Sequence, residues 1–435
     1  MSHHPIDHVP IGKLPELGVV PRRMHAWTIR RDRHGVPAKA FEKELVDVPE
    51  PGPGEVLVHV MAAGVNYNGI WAASGTPVSV LDIHRNDFHI AGSDASGIVW
   101  KTGPGVTRWK VGDEVVLHCN VTCGECAACN GADPMACDEQ RIWGYETPYG
   151  SFAQFALVQS QQVLPKPEAL TWEVAASYGL VCFTAYRMLV HRANVRPGED
   201  VLIWGASGGL GCFAVQITKL LGANAIAVVS SKEKGELAMK MGAAGVIDRN
   251  DFPGLAYHPT EGREQAKTRL EMTKRFGRAI WDVLGRKKSP DVVFEHVGQE
   301  TFPASVFLAG RMGRIVICGA TTGYQLTFDV RHLWMRQKMI VGSHFAHAGE
   351  CEQANTLIHR GKLQPVLTEL FDYDSIPEAH QTMIDNRHTG TLACLVGAPR
   401  AGLRTLEEVR AATSAEPRYA PAPMPTWAAA QTPYR

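Results

Sequence analysis

Four cysteines lie close together in the sequence with a spacing that suits a metal ion. They are Cys123, Cys126, Cys129 and Cys137. Thiolates separated by two, two and seven residues can close a tetrahedral shell around zinc and leave no open position for a substrate. We therefore predict a structural zinc site, the alternative being four free thiols. Cys119 falls outside the spacing and is predicted to be a packing residue.

A glycine-rich loop lies between a predicted strand, residues 201–204, and a predicted helix. It reads Gly205-Ala206-Ser207-Gly208-Gly209-Leu210-Gly211. Glycine lets the backbone turn tightly and approach a pyrophosphate, and the helix N-terminus supplies free amides and the positive end of a dipole. These seven residues are therefore predicted to bind a dinucleotide, the alternative being a purely structural turn.

The residues after the next predicted strand, 225–229, indicate which dinucleotide is bound. An enzyme that uses NAD usually places Asp or Glu there to hold the ribose 2′-hydroxyl, and that carboxylate would repel a 2′-phosphate. Here Ser230, Ser231 and Lys234 follow the strand. Because hydroxyls and a lysine can donate to a phosphate, we predict NADPH as the cofactor.

The elements that carry these motifs are of two kinds. From about residue 40, short strands of alternating polarity are bounded by Gly and Pro, which indicates a β-rich domain. From about residue 168, short apolar strands alternate with helical stretches, which predicts a parallel sheet with helices on both faces. The predicted fold class is therefore α/β, with a doubly wound Rossmann domain beside the β-rich domain.

The same patterns give predicted domain boundaries. Residues 1–172 form the β-rich domain, with the four-cysteine lobe at 119–137, and residues 173–345 form the Rossmann domain. Residues 346–405 return to the first domain through the strand in LACLVGAP. Residues 406–435, rich in Ala and Pro after 412, are predicted to be a poorly packed tail.

A basic insertion, residues 252–290, is predicted between two strands of the Rossmann domain. Between residues 263 and 288 it carries nine basic and three acidic side chains. Two interpretations stay open. The charges either form a solvated helix face or attract a polyanion such as the nucleotide of coenzyme A.

Composition excludes several classes of protein. The 435 residues are 45% apolar and 20% charged, as in globular proteins, and 44 basic residues balance 44 acidic ones. A net charge of zero argues against a protein that coats nucleic acid or anionic membrane, so neither is predicted as a partner. Because we find no transmembrane stretch or signal core, and because the cysteines cluster, a cytoplasmic location is predicted.

The cysteine lobe resembles that of medium-chain alcohol dehydrogenases, which implies a GroES-like catalytic domain beside the Rossmann domain. Those enzymes also hold a catalytic zinc. Their usual Gly-His-Glu segment is replaced here by Gly92-Ser93-Asp94, while 65–68 and Leu180 stand where cysteine ligands are expected. Without an open zinc position, alcohol oxidation of that type is not predicted, and we expect no catalytic metal.

Several segments more specifically resemble crotonyl-CoA carboxylase/reductases. They are VNYN (65–68), QRIWGYET (140–147), IWGASGGLG (203–211), FEH (294–296) and GSHFA (342–346). The likeness runs from about residue 20 to 405. It implies that NADPH delivers a hydride to the β-carbon of a short 2-enoyl-CoA such as crotonyl-CoA. The α-carbon then attacks CO2, giving ethylmalonyl-CoA, or takes a proton.

The resemblance also implies a set of CO2-binding residues. The Asn68 amide would donate to CO2, His344 would donate directly or through water, Glu146 would orient His344 and that water, and Tyr145 would form the wall. Taken singly, such residues more often serve structural, capping or turn roles. Asn66 is the alternative if the register is shifted. The family further implies a homo-oligomer, a dimer or a tetramer.

Other functions remain as alternatives. The nearest is an enoyl-CoA or acrylyl-CoA reductase that only protonates the enolate. A zinc alcohol dehydrogenase is opposed by the missing ligands. A non-catalytic, RNA-binding relative of quinone reductases is opposed by the neutral charge.

Overall fold

The structure, a computed structural model, describes residues 6–131 and 133–414. The chain divides into two compact units. Unit 1 comprises the residues up to Leu180, His347–Gly361 and the residues from Pro365 onward. Unit 2 comprises Val181–Ala346 and Lys362–Gln364.

The described residues form 18 strands and 13 α-helices. The strands are β1 (Arg23–Ile29), β2 (Phe41–Asp47), β3 (Glu55–Val65), β4 (His89–Ile90), β5 (Ala95–Thr102), β6 (Glu114–Leu117), β7 (Asn120–Val121), β8 (Arg141–Ile142), β9 (Phe155–Gln159), β10 (Val163–Pro165), β11 (Asp200–Ile203), β12 (Asn224–Val229), β13 (Gly245–Asp248), β14 (Val292–Glu295), β15 (Arg314–Ile317), β16 (Met339–Gly342), β17 (Leu367–Phe371) and β18 (Thr391–Leu395). The α-helices are α1 (Pro37–Ala40), α2 (Tyr67–Ser74), α3 (Val80–His84), α4 (Trp172–Ala175), α5 (Gly179–Tyr186), α6 (Gly209–Leu220), α7 (Lys232–Met241), α8 (Arg263–Leu284), α9 (Phe302–Leu308), α10 (Arg331–Trp334), α11 (Ala348–His359), α12 (Ile376–Ile384) and α13 (Leu406–Ser414).

Unit 1 is built on a seven-stranded sheet. Its strands follow the order β10-β6-β5-β3-β18-β17, and β9 also pairs with β3. The central strand β3 is buried along nearly its whole length. The strand in LACLVGAP is β18, which pairs antiparallel with β3. Strands β2 and β3, which flank the turn near residue 50, lie in different sheets because β2 pairs with β1.

The first domain boundary differs from the prediction. It lies after Leu180 rather than after residue 172. Trp172 and Ala176 are buried in the apolar core of unit 1, which keeps the segment with this unit. The backbone N–H of Trp172 also donates to Leu403 O at 2.9 Å, and Leu403 belongs to the same core.

Unit 2 is a six-stranded parallel sheet in the order β13-β12-β11-β14-β15-β16. This is the strand order of the doubly wound Rossmann fold, in which ligands bind where the order reverses. Here that point lies between β11 and β14, and the glycine-rich loop directly follows β11. The sequence pattern did not predict β16, because Met339 and Ile340 are exposed.

The segment predicted as an insertion, residues 252–290, is the crossover between β13 and β14. Its 22-residue helix α8 buries Phe276 and Ile280 in the core of unit 2. Phe276 stacks on Trp204, the residue after β11, with the ring centroids 5.3 Å apart. The segment is therefore part of the fold rather than an addition to it.

The predicted tail, residues 406–435, begins as a packed helix. Leu406 and Val409 of α13 are buried in the core of unit 1, so the first part of this prediction is wrong. Residues 415–435 lie outside the described residues. Within the described part, no helix combines the length and the apolar character needed to span a bilayer.

Candidate functional site

Two asparagines lie where strand β3 passes into helix α2. Asn66 precedes the helix and Asn68 is its second residue. The Asn66 side chain does not cap the helix. Instead its Nδ2 donates to Asp94 Oδ2 at 2.8 Å, and Asn68 Nδ2 donates to Ser93 Oγ. The turn-capping alternative therefore does not describe Asn66.

Ser93 and Asp94 are buried in the loop before β5. The second oxygen of Asp94, Oδ1, accepts a 2.6 Å hydrogen bond from the backbone N–H of Leu180. Burial raises the pKa of Asp94 to about 7, against the opposing effect of the two donors. Sequence reasoning used these residues only to argue against a catalytic zinc and missed them as part of a site.

Tyr145 and Glu146 follow the short strand β8. Glu146 Oε2 accepts a hydrogen bond of 2.8 Å from the backbone N–H of Ile142, so one oxygen serves the capping role that was the alternative for this residue. Tyr145 is partly buried and packs against the core of unit 1. The pair is thus held by its own loop.

The loop of residues 90–94 contacts the segments that carry both pairs of residues. Gly144 has a left-handed φ of +72°, and a Cβ there would lie 1.9 Å from Gly92 O, so the two loops are in direct contact. The thiol of Cys119 is fully buried, and the charges of Asp94 and Glu146 add to burial in raising its pKa. Amide, hydroxyl and carboxyl groups therefore collect on one part of unit 1, as a site for a small polar molecule requires.

His344 belongs to unit 2 and follows strand β16. The backbone N–H of Ser343 donates to Ile317 O at 2.8 Å, and the His344 ring lies 4.0 Å from the Phe345 ring between centroids. Burial, and then the charge of Arg187, lower the pKa of His344, so the imidazole is neutral at pH 7 and can both donate and accept. Asn68, Tyr145 and Glu146 belong to unit 1, and His344 belongs to unit 2.

The predicted dinucleotide loop connects β11 to α6. A Cβ at Gly211 would lie 2.2 Å from Gly205 O, so this glycine permits a close approach of helix and loop. Gly208 precedes α6 and leaves the first helical amides without a side-chain cap. His296 Nε2 lies 2.9 Å from Trp204 O and supports the start of the loop. The residues present fit a bound pyrophosphate.

The residues predicted to hold a 2′-phosphate lie together at the end of β12. Lys234 Nζ donates to Ser230 Oγ at 3.3 Å, and the Ser231 hydroxyl caps α7 by accepting from Lys234 N. Burial, together with the charge of Arg249, lowers the pKa of Lys234. Two neighbouring cations favour an anion between them, so the group fits a phosphate.

Sequence reasoning missed Arg249. It follows β13, which is parallel to β12 and pairs Asp248 with Val229. Neighbouring parallel strands end at the same edge of a sheet. A basic residue after each of β12 and β13 could therefore have indicated the phosphate site from the sequence.

The four cysteines of the lobe come together in unit 1. Their Sγ atoms all lie within 4.8 Å of one another, and the Sγ–Sγ distances include 3.8 Å for Cys123–Cys129 and 3.6 Å for both Cys126–Cys129 and Cys123–Cys137. Zinc–sulfur bonds of about 2.3 Å require tetrahedral edges of about 3.8 Å. The backbone N–H groups of Glu125 and Cys126 lower the pKa of Cys123 to about 7, which favours the thiolate that binds metal.

Two family profiles match the chain. The first is described as "Alcohol dehydrogenase GroES-like domain" and matches residues 52–168. The second is described as "Zinc-binding dehydrogenase" and matches residues 209–360. The profiles agree with a β-rich domain followed by a Rossmann domain.

Individual proteins match over nearly the whole chain. The chain is 52% identical to the crotonyl-CoA carboxylase/reductase of Cereibacter sphaeroides, over 93% of this chain and 94% of the relative. A structure of the crotonyl-CoA carboxylase/reductase AntE in complex with NADP has a TM-score of 0.84 and 46% identity, covering 90% of this chain and 99% of AntE. The 2-octenoyl-CoA carboxylase reductase CinF, solved with NADP and 2-octenoyl-CoA, has a TM-score of 0.83 and 37% identity, covering 91% of this chain and 93% of CinF.

Proposed function

Because the chain belongs to the crotonyl-CoA carboxylase/reductase family of medium-chain dehydrogenases, we propose that it catalyses the NADPH-dependent reductive carboxylation of a short 2-enoyl-CoA. The substrate proposed is crotonyl-CoA and the product ethylmalonyl-CoA. The observation that carries the proposal is that Asn68 is bound to Ser93 in the loop of residues 90–94, and that Gly144, next to Tyr145 and Glu146, contacts Gly92 in the same loop. The Asn68 amide can donate to a small molecule with two weak acceptor oxygens, and the Glu146 carboxylate, which only accepts, can orient a water that donates to it.

The cofactor would lie against residues 205–211, with its 2′-phosphate held by Ser230, Ser231, Lys234 and Arg249. NADPH, when bound there, supplies the hydride that the β-carbon of the thioester accepts. The thioester carbonyl then holds the resulting enolate, whose α-carbon forms a bond either to the carbon of CO2 or to a proton. Which bond forms depends on how the chain holds CO2 and excludes water.

The four pocket residues are assigned distinct roles. Asn68 would donate one amide N–H to CO2 while the other is held by Ser93. Glu146, with one oxygen bound to Ile142 N–H, would use the other to orient a water and His344. The neutral His344 would donate to CO2 directly or through that water, and Tyr145 would form the wall.

The test is to weigh the product formed from crotonyl-CoA and NADPH with isotope-labelled bicarbonate. We expect ethylmalonyl-CoA that carries the label. If butyryl-CoA is the only product, the protein is an enoyl-CoA reductase that does not carboxylate, which is the nearest alternative. A protein that does not oxidise NADPH with any enoyl-CoA would overturn both functions.

We also propose that the four-cysteine lobe binds a structural zinc and that the pocket works without a metal. The near-tetrahedral thiolate positions support the first part. Ser93 and Asp94, which bind the two asparagines rather than offering an imidazole, support the second. A cytoplasmic location remains a prediction, and reducing conditions there would keep such thiols available.

A homo-oligomer remains a prediction, and we propose that the edge of the unit 2 sheet forms its interface. In the described residues β16 pairs only with β15, and Trp334, Met335 and Met339 on and near it are 63%, 57% and 48% exposed. A two-fold axis beside the edge would pair two copies of β16 and bury both apolar surfaces. Ile340→Lys should lower the mass of the oligomer as measured by light scattering, whereas Leu270→Lys, at an exposed position of α8, should not.

Observations in the structure support both interpretations of the basic residues on and after α8, a solvated helix face and attraction of a polyanion. Arg269 on α8 is paired with Glu261, and Arg286 and Lys288, which follow the helix, are paired with Asp200, so these charges serve the fold. Lys274 and Arg278 instead line a 260 Å³ cavity beside Trp281. Two cations beside an aromatic ring support attraction of an anionic group such as the coenzyme A nucleotide.

A further inference from the structure

Two neighbouring residues in one loop bind the two asparagines that flank Tyr67. Ser93 Oγ accepts from Asn68 Nδ2, and Asp94 Oδ2 accepts from Asn66 Nδ2 at 2.8 Å. Strands β3 and β5 pair Ala63 with Ala95, so the chain beyond β3 and the chain before β5 run side by side. The start of α2 is therefore attached to this loop at two points.

The space around the Asp94 carboxyl is shaped to fit it. A Cβ at Gly64 would lie 2.8 Å from the Asp94 Cβ, and a Cβ at Gly179 would lie 2.6 Å from Asp94 Oδ1. Two glycines thus leave room that a larger residue would fill. Each carboxyl oxygen has its own donor, Asn66 Nδ2 for one and Leu180 N for the other.

This carboxyl is buried among neutral donors. Asp94 is 1% exposed, and the groups that bind it are an amide side chain and a backbone N–H. Burial of a carboxyl without a cation is unfavourable, and it raises the pKa of Asp94 to about 7. A carboxyl kept in such a place beside a proposed pocket indicates a role in that pocket.

We propose that Asp94 is a positioning residue of the carboxylation pocket, which holds the start of α2 so that the Asn68 amide faces CO2. The inference rests on the proposed function. Asn66 is the residue before α2, and its carbonyl accepts from Gly69 N at 3.1 Å, so fixing Asn66 fixes the first turn that carries Asn68. Asp94 thereby sets the share of enolate that bonds to CO2 rather than to a proton.

The experiment measures the ratio of carboxylated to protonated product for Asp94→Ala and Asp94→Asn, with crotonyl-CoA, NADPH and labelled bicarbonate. Asp94→Ala removes both acceptors. Loss of the one hydrogen bond that holds Asn66 should lower the ratio about fivefold and raise KM for CO2. Asp94→Asn can restore both hydrogen bonds if the Asn66 amide turns over. We expect its ratio within about twofold of the wild type, since the shape and bonds return.

Ser96→Ala is the matched control. Ser96 is fully buried two residues along, and its hydroxyl donates to Trp172 O at 2.6 Å. This variant should lower the melting temperature without changing the product ratio. A similar fall in ratio for Ser96→Ala and Asp94→Ala would reduce Asp94 to a structural role and overturn the proposal.

The remaining outcomes are also decisive. A folded Asp94→Ala with an unchanged ratio would overturn the inference and leave the proposed function intact. Absence of label from the wild-type product would overturn the proposed function and the inference with it. If circular dichroism shows that Asp94→Ala does not fold, Asn66→Ala removes the same hydrogen bond from the other side and is judged by the same ratio.

Discussion

The carboxylate of Glu146 accepts a 2.8 Å hydrogen bond from the backbone N–H of Ile142 through Oε2. One oxygen of this residue therefore holds the loop that carries it, and the other is available to a ligand or water. The same loop contacts Gly92, next to Ser93. The Glu146 side chain therefore has a structural role in its loop and a proposed chemical role in the pocket. Substitutions can separate these two roles.

Glu146→Ala should lower the ratio of carboxylated to protonated product about tenfold, because it removes a charged acceptor for the water and His344. Glu146→Gln keeps an oxygen for Ile142 N–H and should fold as the wild type does, while its ratio still falls. Mass spectrometry of the products measures both. The exposed Glu139→Ala, on the same segment, is the control. An unchanged ratio in both Glu146 variants would refute the assigned role.

Lys234→Glu should shift the cofactor preference from NADPH towards NADH. Loss of one charge-assisted hydrogen bond and gain of a repulsive carboxylate should lower kcat/KM for NADPH about 10- to 100-fold. Arg249→Ala should act in the same direction more weakly. Lys232→Glu makes the same charge change at an exposed position on α7 and should have little effect. If Lys234→Glu and the wild type have the same ratio of kcat/KM for NADPH to kcat/KM for NADH, Lys234 does not bind the 2′-phosphate.

Purified protein should contain about one zinc ion per chain, bound by four thiolates. Cys126→Ser should lower the zinc content measured by plasma mass spectrometry and should lower the melting temperature. Cys119→Ala, in the same segment but outside the cluster, should keep its zinc. A wild-type protein that is free of zinc after growth in zinc-supplemented medium would contradict the site.

The elements that the sequence predicted are those with strong local patterns. Strands β11 to β15 are short apolar runs, and the loop after β11 is rich in glycine, so local residue types were enough. The edge strand β16 was missed because Met339 and Ile340 are exposed and carry no buried-strand pattern. Helix α8 was taken for an insertion because its six basic residues obscured the spacing of Phe276 and Ile280, which pack on the sheet.

The candidate site was predicted in part for a similar reason. Asn68, Glu146 and the four cysteines were recognised from local segments. The roles of Ser93 and Asp94 depend on the pairing of β3 with β5, and that of Arg249 depends on the pairing of β12 with β13. Such contacts join residues far apart in sequence, and strand register decides them.

A buried histidine provides a test of the fold by acid. His59 lies on β3 between Trp100 and Phe155, with ring centroids 4.9 and 4.7 Å away, and burial lowers its pKa to about 3. Because the unfolded chain binds this proton near pH 6.5 and the folded chain does not, the wild type loses stability as pH falls from about 6.5 towards 3.

His59→Leu should remove that loss, which for this group reaches about 4 kcal/mol near pH 3. At pH 7, where both states are neutral, the change in stability should be small by comparison. Urea unfolding of both proteins at pH 7 and pH 5 measures the difference, and the exposed His258→Leu serves as the control. If the wild type and His59→Leu lose equal stability between these pH values, the imidazole of His59 must take up its proton in the folded state, and the burial assigned to it in the core of unit 1 would be wrong.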